Sequence, residues 1–420
     1  MNIIFLTMSR ISNINENGLY TDLLKKFKND GNKVYIVTPH ERYMGRSTEL
    51  LDAEGVYILG VKTLNLRKTN IVEKGIGQML VESQYKRAIK RCLNNIHFDL
   101  ILYSTPPITL MGVVKYLKTT SPKAVAYLLL KDIFPQNAVD LGFMPSSWFT
   151  VMGSGLRMPI ELPKFMLYKY FRKKEIALYK TSDYIGCMSP ANVEYIRKHN
   201  TYYPAERVEV APNSISLSPN DNLNLNDNKR EIREKYGLPT DKPIFIYGGN
   251  LGKPQGIPFL IKCLEANVNR IDRHFVVIGT GTELPKLKKW YSESKPQNIM
   301  VMDGLPKKEY DELVRVCDVG LIFLDHRFTI PNYPSRLLSY LEYSMPVLCA
   351  TDRNTDIGRI AKMNGYGLWC ESVNELDFTV LVNWFVAHPE ELHAMGKRGH
   401  EFLKKNYLVE NTYRAIVSHL

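Results

Sequence analysis

The 420-residue sequence has no CxxC pair and no histidine at zinc spacing from any of its six cysteines, which excludes a zinc module or a disulfide framework. Cys92, Cys187, Cys263, Cys317, Cys349 and Cys370 fall in apolar segments such as VCDVGLIF and PVLCAT and read as buried, reduced thiols. The first strand-like run is not followed by GxGxxG, and GTGTEL (279–284) lacks the third glycine of a dinucleotide fingerprint, which counts against a dehydrogenase. No apolar run approaches the roughly 20 residues of a membrane-spanning helix, and no 20–50-residue repeat suggests a solenoid. The opening MNIIFLTMSRISN has neither a basic leader nor a long apolar stretch; it reads as the first core strand of a cytoplasmic enzyme rather than a secretion signal.

What is present is an ordinary globular composition, 45% hydrophobic and 23% charged, long enough for two domains of about 200 residues each. The net charge of +12 and pI near 9.2 favour an anionic partner: nucleic acid, acidic membrane or phosphorylated substrate. Short β-branched runs alternate with amphipathic helical patterns, the signature of parallel sheets covered by helices. NIIFLTM (2–8), a polar loop, a helix over 19–31 and KVYIVTP (33–39) form the first unit. Strands are expected at 55–61, 99–105, 124–130, 184–189 and 207–213. An Asn-, Asp- and Ser-rich stretch at 214–230 reads as a linker. The pattern then restarts with strands at 243–250, 274–281, 298–304, 319–325 and 346–351 and helices between them, ending in a helical pattern over 401–420. The domains expected are thus 1–213 and 231–404, each doubly wound.

Ligands of open α/β sheets bind beyond the carboxyl ends of the strands. Four segments there can carry chemistry. Gly18, opening the first helix, permits close approach of a phosphate or sugar, or is a plain turn glycine. Asp132, in KDIFPQNAVDLG after a buried strand, can accept a proton or orient a hydroxyl, or cap a turn. YGGNLGKPQG (247–256) exposes amides around Gly249 and Asn250 and carries Lys253, a point charge suited to a diphosphate. In FTIPNYPSRLLSYLEYS (328–344), Pro334 and Ser335 mark a helix start. Arg336 then opposes the helix dipole in the first turn, a mismatch relieved by a nearby anion, or is simply an exposed, solvated arginine.

These segments resemble the retaining glycosyltransferases of the GT-B fold, family four, particularly bacterial members that build O-antigen or capsular polysaccharide. The resemblance covers nearly the whole length. It rests on YGGNLGKPQGIPFLI, FVVIGTGTELPKL, DGLPKKEYDELVRVCDVGLI and PSRLLSYLEYSMPVLCAT in order, with KDIFPQNAVDLG and VAPNSIS before them. It implies two Rossmann-like domains facing a central cleft, with the C-terminal helix near 405–420 crossing back to the first domain. The second domain would hold a nucleotide sugar: Leu305 at the base, Asn332, Tyr333, Ser335 and Arg336 with the 248–253 loop at the diphosphate. The first would present the acceptor, with Gly18 and Asp132 lining the cleft. The family's two glutamates, spaced E-x7-E, fall on Pro331 and Ser339, so a ribose contact passes to Ser339 or to Glu342, one helical turn on. The loop's Arg and Lys fall on Asn250 and Gln255, leaving Lys253 and Arg336 as cations.

The implied activity is hexosyl or N-acetylhexosaminyl transfer to a lipid-linked or saccharide hydroxyl, with no cofactor and, for want of a DxD-like motif, no metal. The basic segment 156–180, with Arg157, Lys164, Lys169, Arg172, Lys173, Lys174 and Lys180 among apolar residues, suits an anionic membrane surface. A solvated helix face is the other reading of such a segment; the lipid diphosphate acceptor that the resemblance implies favours a peripheral enzyme on the inner face of the cytoplasmic membrane. A sugar-nucleotide epimerase on the same fold is the alternative. A nucleic-acid-binding protein is less favoured, because zinc-finger and RNP-type signatures are missing.

Overall fold

The computed structural model describes the chain except residues 17, 54, 67, 68, 70 and 218–224, and the side chains of 71, 72, 74, 75 and 225–227. Asn17 of the first loop and the middle of the expected linker therefore lie outside the described residues. The chain forms two units, Met1–Ile215 with Val409–Leu420, and Ser216–Leu408.

The first unit is built on β1 (Asn2–Leu6), β2 (Lys33–Glu41), β3 (Glu49–Ala53), β4 (Val56–Thr63), β5 (Leu100–Ser104), β6 (Val125–Leu130), β7 (Tyr184–Cys187) and β8 (Val208–Val210). The sheet order is β3-β4-β2-β1-β5-β6-β7-β8. All pairs are parallel except β3 with β4. Phe5 of β1 pairs with Ile36 on one side and Leu102 on the other. Burial along β5 and β6 is nearly continuous, as expected of central strands covered on both faces. The Leu19–Asn29 helix turns Leu23, Leu24 and Phe27 inward, the face its 3.6-residue periodicity predicts.

The second unit is built on β9 (Ile244–Asn250), β10 (His274–Thr280), β11 (Ile299–Asp303), β12 (Val319–Phe323), β13 (Val347–Thr351) and β14 (Gly367–Glu371). The order is β11-β10-β9-β12-β13-β14, all parallel. The chain winds outward from β9 to β11, then crosses to β12 and winds the other way. The topological switch therefore lies between β9 and β12, where a ligand crevice is expected at the carboxyl ends.

Three sequence expectations change. Residues 225–230, assigned to the linker, begin the helix Leu225–Lys235. Polar contacts help hold it: Arg233 donates to the carbonyls of Val316, Pro239 and Lys242 and pairs with Asp318 at 2.6 Å. The helical pattern over 401–420 is two helices, Pro389–Asn406 and Val409–Val417. The second of these packs in the first unit. Val409 and Ile416 are buried in its core beside Leu23 and Phe27, and Phe27 meets Tyr413 at 4.8 Å between ring centroids. The parallel series also extends one strand beyond 346–351, to β14.

Candidate functional site

The loops at the switch point of the second sheet meet directly. Gly249 has φ of 118° and Gly256 of 60°, conformations open to glycine and strained for other residues. A side chain on Gly256 would press on the Asp325 backbone. The amide of Asp325 donates to the Pro254 carbonyl at 3.0 Å, joining the loop after β9 to the loop after β12. Asp325 takes two 2.8 Å bonds from the Arg327 guanidinium. Burial raises its carboxyl, but Arg327 outweighs that and holds it below the usual carboxylate range.

Arg336 occupies this crevice. Its guanidinium lies over the Tyr247 ring at 4.2 Å, and its Nη2 is 3.7 Å from where a Cβ on Gly249 would sit. Tyr310 packs so closely on Gly248 that any side chain there would strike its hydroxyl. The Tyr340 hydroxyl accepts from the Gly248 amide at 3.2 Å. Burial pushes the hydroxyls of Tyr247 and Tyr340 up and that of Tyr310 to about 12, so all three stay neutral at physiological pH. The cage stacks against the cation without neutralising it. Arg336 Nη1 is buried with no hydrogen-bond partner among the described residues. An unpaired buried donor of this kind is costly and marks the place where an anionic group would be stabilised.

The other expected donor residues distribute unevenly around this point. Asn250, exposed, donates through its side-chain amide to Gln255 at 2.9 Å, and Gln255 also accepts from the Gly252 amide. The two neutral residues at the cation positions of the resemblance thus close the loop on itself. Lys253 is exposed at the loop tip. The Asn332 amide donates to Thr355 Oγ1, and Thr355 donates to Asp352, tying the 328–335 loop to the end of β13. Ser335 is exposed, precedes the Arg336–Glu342 helix and makes no side-chain cap bond. Ser339 and Glu342 are half-buried on that helix, and Leu305 is half-buried after β11. Tyr333 instead turns inward. Its hydroxyl is 2.5 Å from that of Tyr407, so the polar group expected at the diphosphate is committed to the core of the unit.

In the first unit, Asp132 sits at the carboxyl end of β6. Thr105 Oγ1 accepts from the amides of Lys131 and Asp132 and donates to the Asp132 carbonyl. Burial raises the Asp132 carboxyl, which suits proton acceptance better than a solvated aspartate. The neighbouring Lys131, which sequence reasoning passed over, has its amine lowered to about 7 by burial. The Gly18 amide, by contrast, donates to Asp22 Oδ1 at 3.2 Å. Its φ of −179° is extended backbone that any residue adopts. Among the described residues, no group of three His, Cys, Asp or Glu is placed to hold a metal ion.

The tyrosine cage was also missed. Tyr247, Tyr310 and Tyr340 come from a strand and two helices, and no spacing in the sequence announces their convergence.

Residues 228–402 match the family described as glycosyl transferases group 1. The chain is 21% identical over 345 residues to the probable glycosyltransferase WbjE of Pseudomonas aeruginosa, covering 81% of this chain and 78% of that protein. Among solved structures, it is similar to WaaG, a glycosyltransferase involved in lipopolysaccharide biosynthesis, with TM-score 0.65 and 11% identity over 99% of this chain and 98% of that one. It is also similar to Anabaena HepE in complex with UDP-glucose, with TM-score 0.65 and 11% identity over 100% and 99%. The matched residues lie within the second unit, and the fold is GT-B, with two Rossmann-like domains.

Proposed function

We propose that this chain is a retaining glycosyltransferase of bacterial surface polysaccharide biosynthesis, of O-antigen or capsular type. It moves a hexosyl or N-acetylhexosaminyl unit from a nucleotide-diphosphate sugar to a hydroxyl of a lipid-linked or saccharide acceptor. The observation that carries this reading is Arg336, a cation with an unpartnered buried Nη1 beside Gly249 at the switch point of the second sheet. In the reaction the bond between the anomeric carbon and the diphosphate oxygen breaks, and the acceptor oxygen bonds to that carbon on the same face. The leaving diphosphate gathers negative charge. The half-buried Arg336, with the exposed Lys253 at the loop tip, stabilises that charge. Asp132, its carboxyl raised by burial, is assigned to the acceptor side, where it takes or orients the hydroxyl proton. The protein cations serve in place of a metal, and the proposed location is the inner face of the cytoplasmic membrane.

A thermal-shift panel of UDP-, GDP-, ADP- and TDP-sugars, followed by mass analysis of an added lipid acceptor, tests the reading. Stabilisation by one donor and a mass gain of one sugar on the acceptor are expected. Epimerised or hydrolysed donor with no requirement for acceptor would replace transfer with epimerase chemistry. Turnover abolished by chelation and restored by manganese would overturn metal-independence.

A further inference from the structure

The sequence placed a membrane surface on the basic character of 156–180. The structure moves the weight to apolar residues, most of them nearer the strand ends. Between β6 and β7 the chain forms a short helix, Trp148–Met152, a single 3-10 turn, Gly155–Arg157, and the long helix Met158–Thr181. Because β6 and β7 are parallel, the segment before the long helix, and that helix's first turns, lie at the carboxyl end of the sheet. Asp132 lies at the same end. Here Trp148, Phe149, Met152, Leu156, Ile160 and Met166 are exposed, Phe149 at 87% and Leu156 completely.

The long helix presents an inverted pattern. Met158, Leu162, Met166 and Tyr170, four residues apart, form an exposed apolar stripe, while Glu175 is buried; Glu175 accepts from Tyr179 and pairs with Arg172. A solvated helix carries the opposite arrangement. Contiguous exposed apolar surface of this kind marks an interaction site.

Charge selects the occupant. Lys164 pairs with Glu161 at 2.7 Å, Arg172 with Glu175, and Lys174 lies 3.9 Å from Glu82. Arg157, Lys169 and Lys173 are exposed beside the stripe. Apolar side chains rimmed by exposed cations complement an anionic lipid bilayer, with hydrocarbon taking the former and headgroups the latter.

We infer that residues 148–170 form a membrane-inserting surface that holds the carboxyl end of the first sheet at the headgroup plane of an anionic bilayer. Insertion of apolar side chains supplies most of the attachment, and Arg157, Lys169 and Lys173 supply the preference for anionic lipid. The consequence for catalysis, delivery of a lipid-linked acceptor to Asp132, rests on the proposed glycosyl transfer; the attachment itself does not.

Vesicle sedimentation with the full chain tests this, using phosphatidylcholine alone or mixed with phosphatidylglycerol. The wild type is expected to pellet with the mixed vesicles, and brominated lipid is expected to quench Trp148 emission, a signal that Trp148→Phe removes. Combined Phe149→Ser, Leu156→Ser and Ile160→Ser should weaken binding at least about 100-fold. Combined Arg157→Gln, Lys169→Gln and Lys173→Gln should weaken it only for the anionic vesicles, as added salt does. Stabilisation by a nucleotide sugar, measured on the same variants, should be unchanged; this reads the donor site separately, so failure of the transferase reading is distinguishable from failure of attachment. Undiminished binding of the serine variant, or no quenching of Trp148, would overturn the inference. So would a wild-type dimer that the serine variant dissociates without any vesicle binding, which would assign the face to a second copy of the chain.

Discussion

Arg336 is the residue on which the donor assignment turns, and its surroundings separate function from folding. The guanidinium rests against Tyr247, and its Nη1 has no partner. The residue is half-buried, but its buried, unpartnered nitrogen costs stability, and an apolar side chain of similar length removes that cost. Arg336→Met is therefore expected to leave Tm unchanged or raise it while kcat/KM falls at least about 100-fold, the scale of losing one charge-stabilising donor. Arg336→Lys should recover part of the activity, since a point charge remains but the planar stack on Tyr247 does not. Steady-state kinetics beside thermal unfolding decides the matter. If Tm fell in step with activity, Arg336 would be a structural residue. Its sequence neighbour Tyr333 shows the limit of reading such a segment. In the irregular stretch before a helix no periodicity says which side chains turn inward, and Tyr333 turns toward Tyr407. Arg336 was legible because a cation in the first turn of a helix is locally disfavoured; the tyrosines around it were not, because each belongs to a different element.

At the level of elements, the loop after β13 positions the loop that leads to Arg336. Asp352 is fully buried and accepts from the amides of Asn354 and Thr355 and from the Thr355 hydroxyl. Thr355 in turn receives the Asn332 amide, and Asn354 donates to the Phe328 carbonyl. Burial raises the Asp352 carboxyl to about 6 in spite of these bonds. A folded pKa above the unfolded value means that the native state holds the proton more tightly. The associated stability is therefore complete below about pH 4 and is lost as pH rises through about 6. Chemical denaturation of the wild type between pH 4 and 7 should show that loss, on the order of 2–3 kcal/mol. Asp352→Asn, which keeps an oxygen acceptor and cannot ionise, should flatten it. An unchanged slope in the variant would place the titration elsewhere. Nothing in the run CATDRNTD distinguishes this aspartate from a solvated turn residue; its role comes from the loop packed over it.

For the whole molecule, the last residues belong to the first unit although nearly two hundred residues of the second unit precede them. Val409 and Ile416 are buried in the first core, Thr412 donates to the Pro212 carbonyl at 3.0 Å, and His419 lies 2.9 Å from Glu209. Removing residues 409–420 uncovers two large aliphatic side chains' worth of core, about 3–6 kcal/mol. Calorimetry of the truncated chain should show a lowered transition for the first unit and a preserved one for the second. A lowered transition confined to the second unit would contradict the assignment of the tail.

The alternation of strand runs and helical faces, and with it two doubly wound domains, was written in the sequence, because burial on both faces of a parallel strand requires continuous apolar runs. So were the glycine loop after β9 and the misplaced cation at 336, since each breaks a local rule. The tail's docking was implied by the resemblance and could not be read from periodicity. The helix at 225–235, held by polar contacts of Arg233, needed the tertiary structure. So did the inward turn of Tyr333, the tyrosine cage and the outward apolar stripe on Met158–Thr181. Periodicity states that a helix has a face, but which surface that face meets depends on residues far away in the chain.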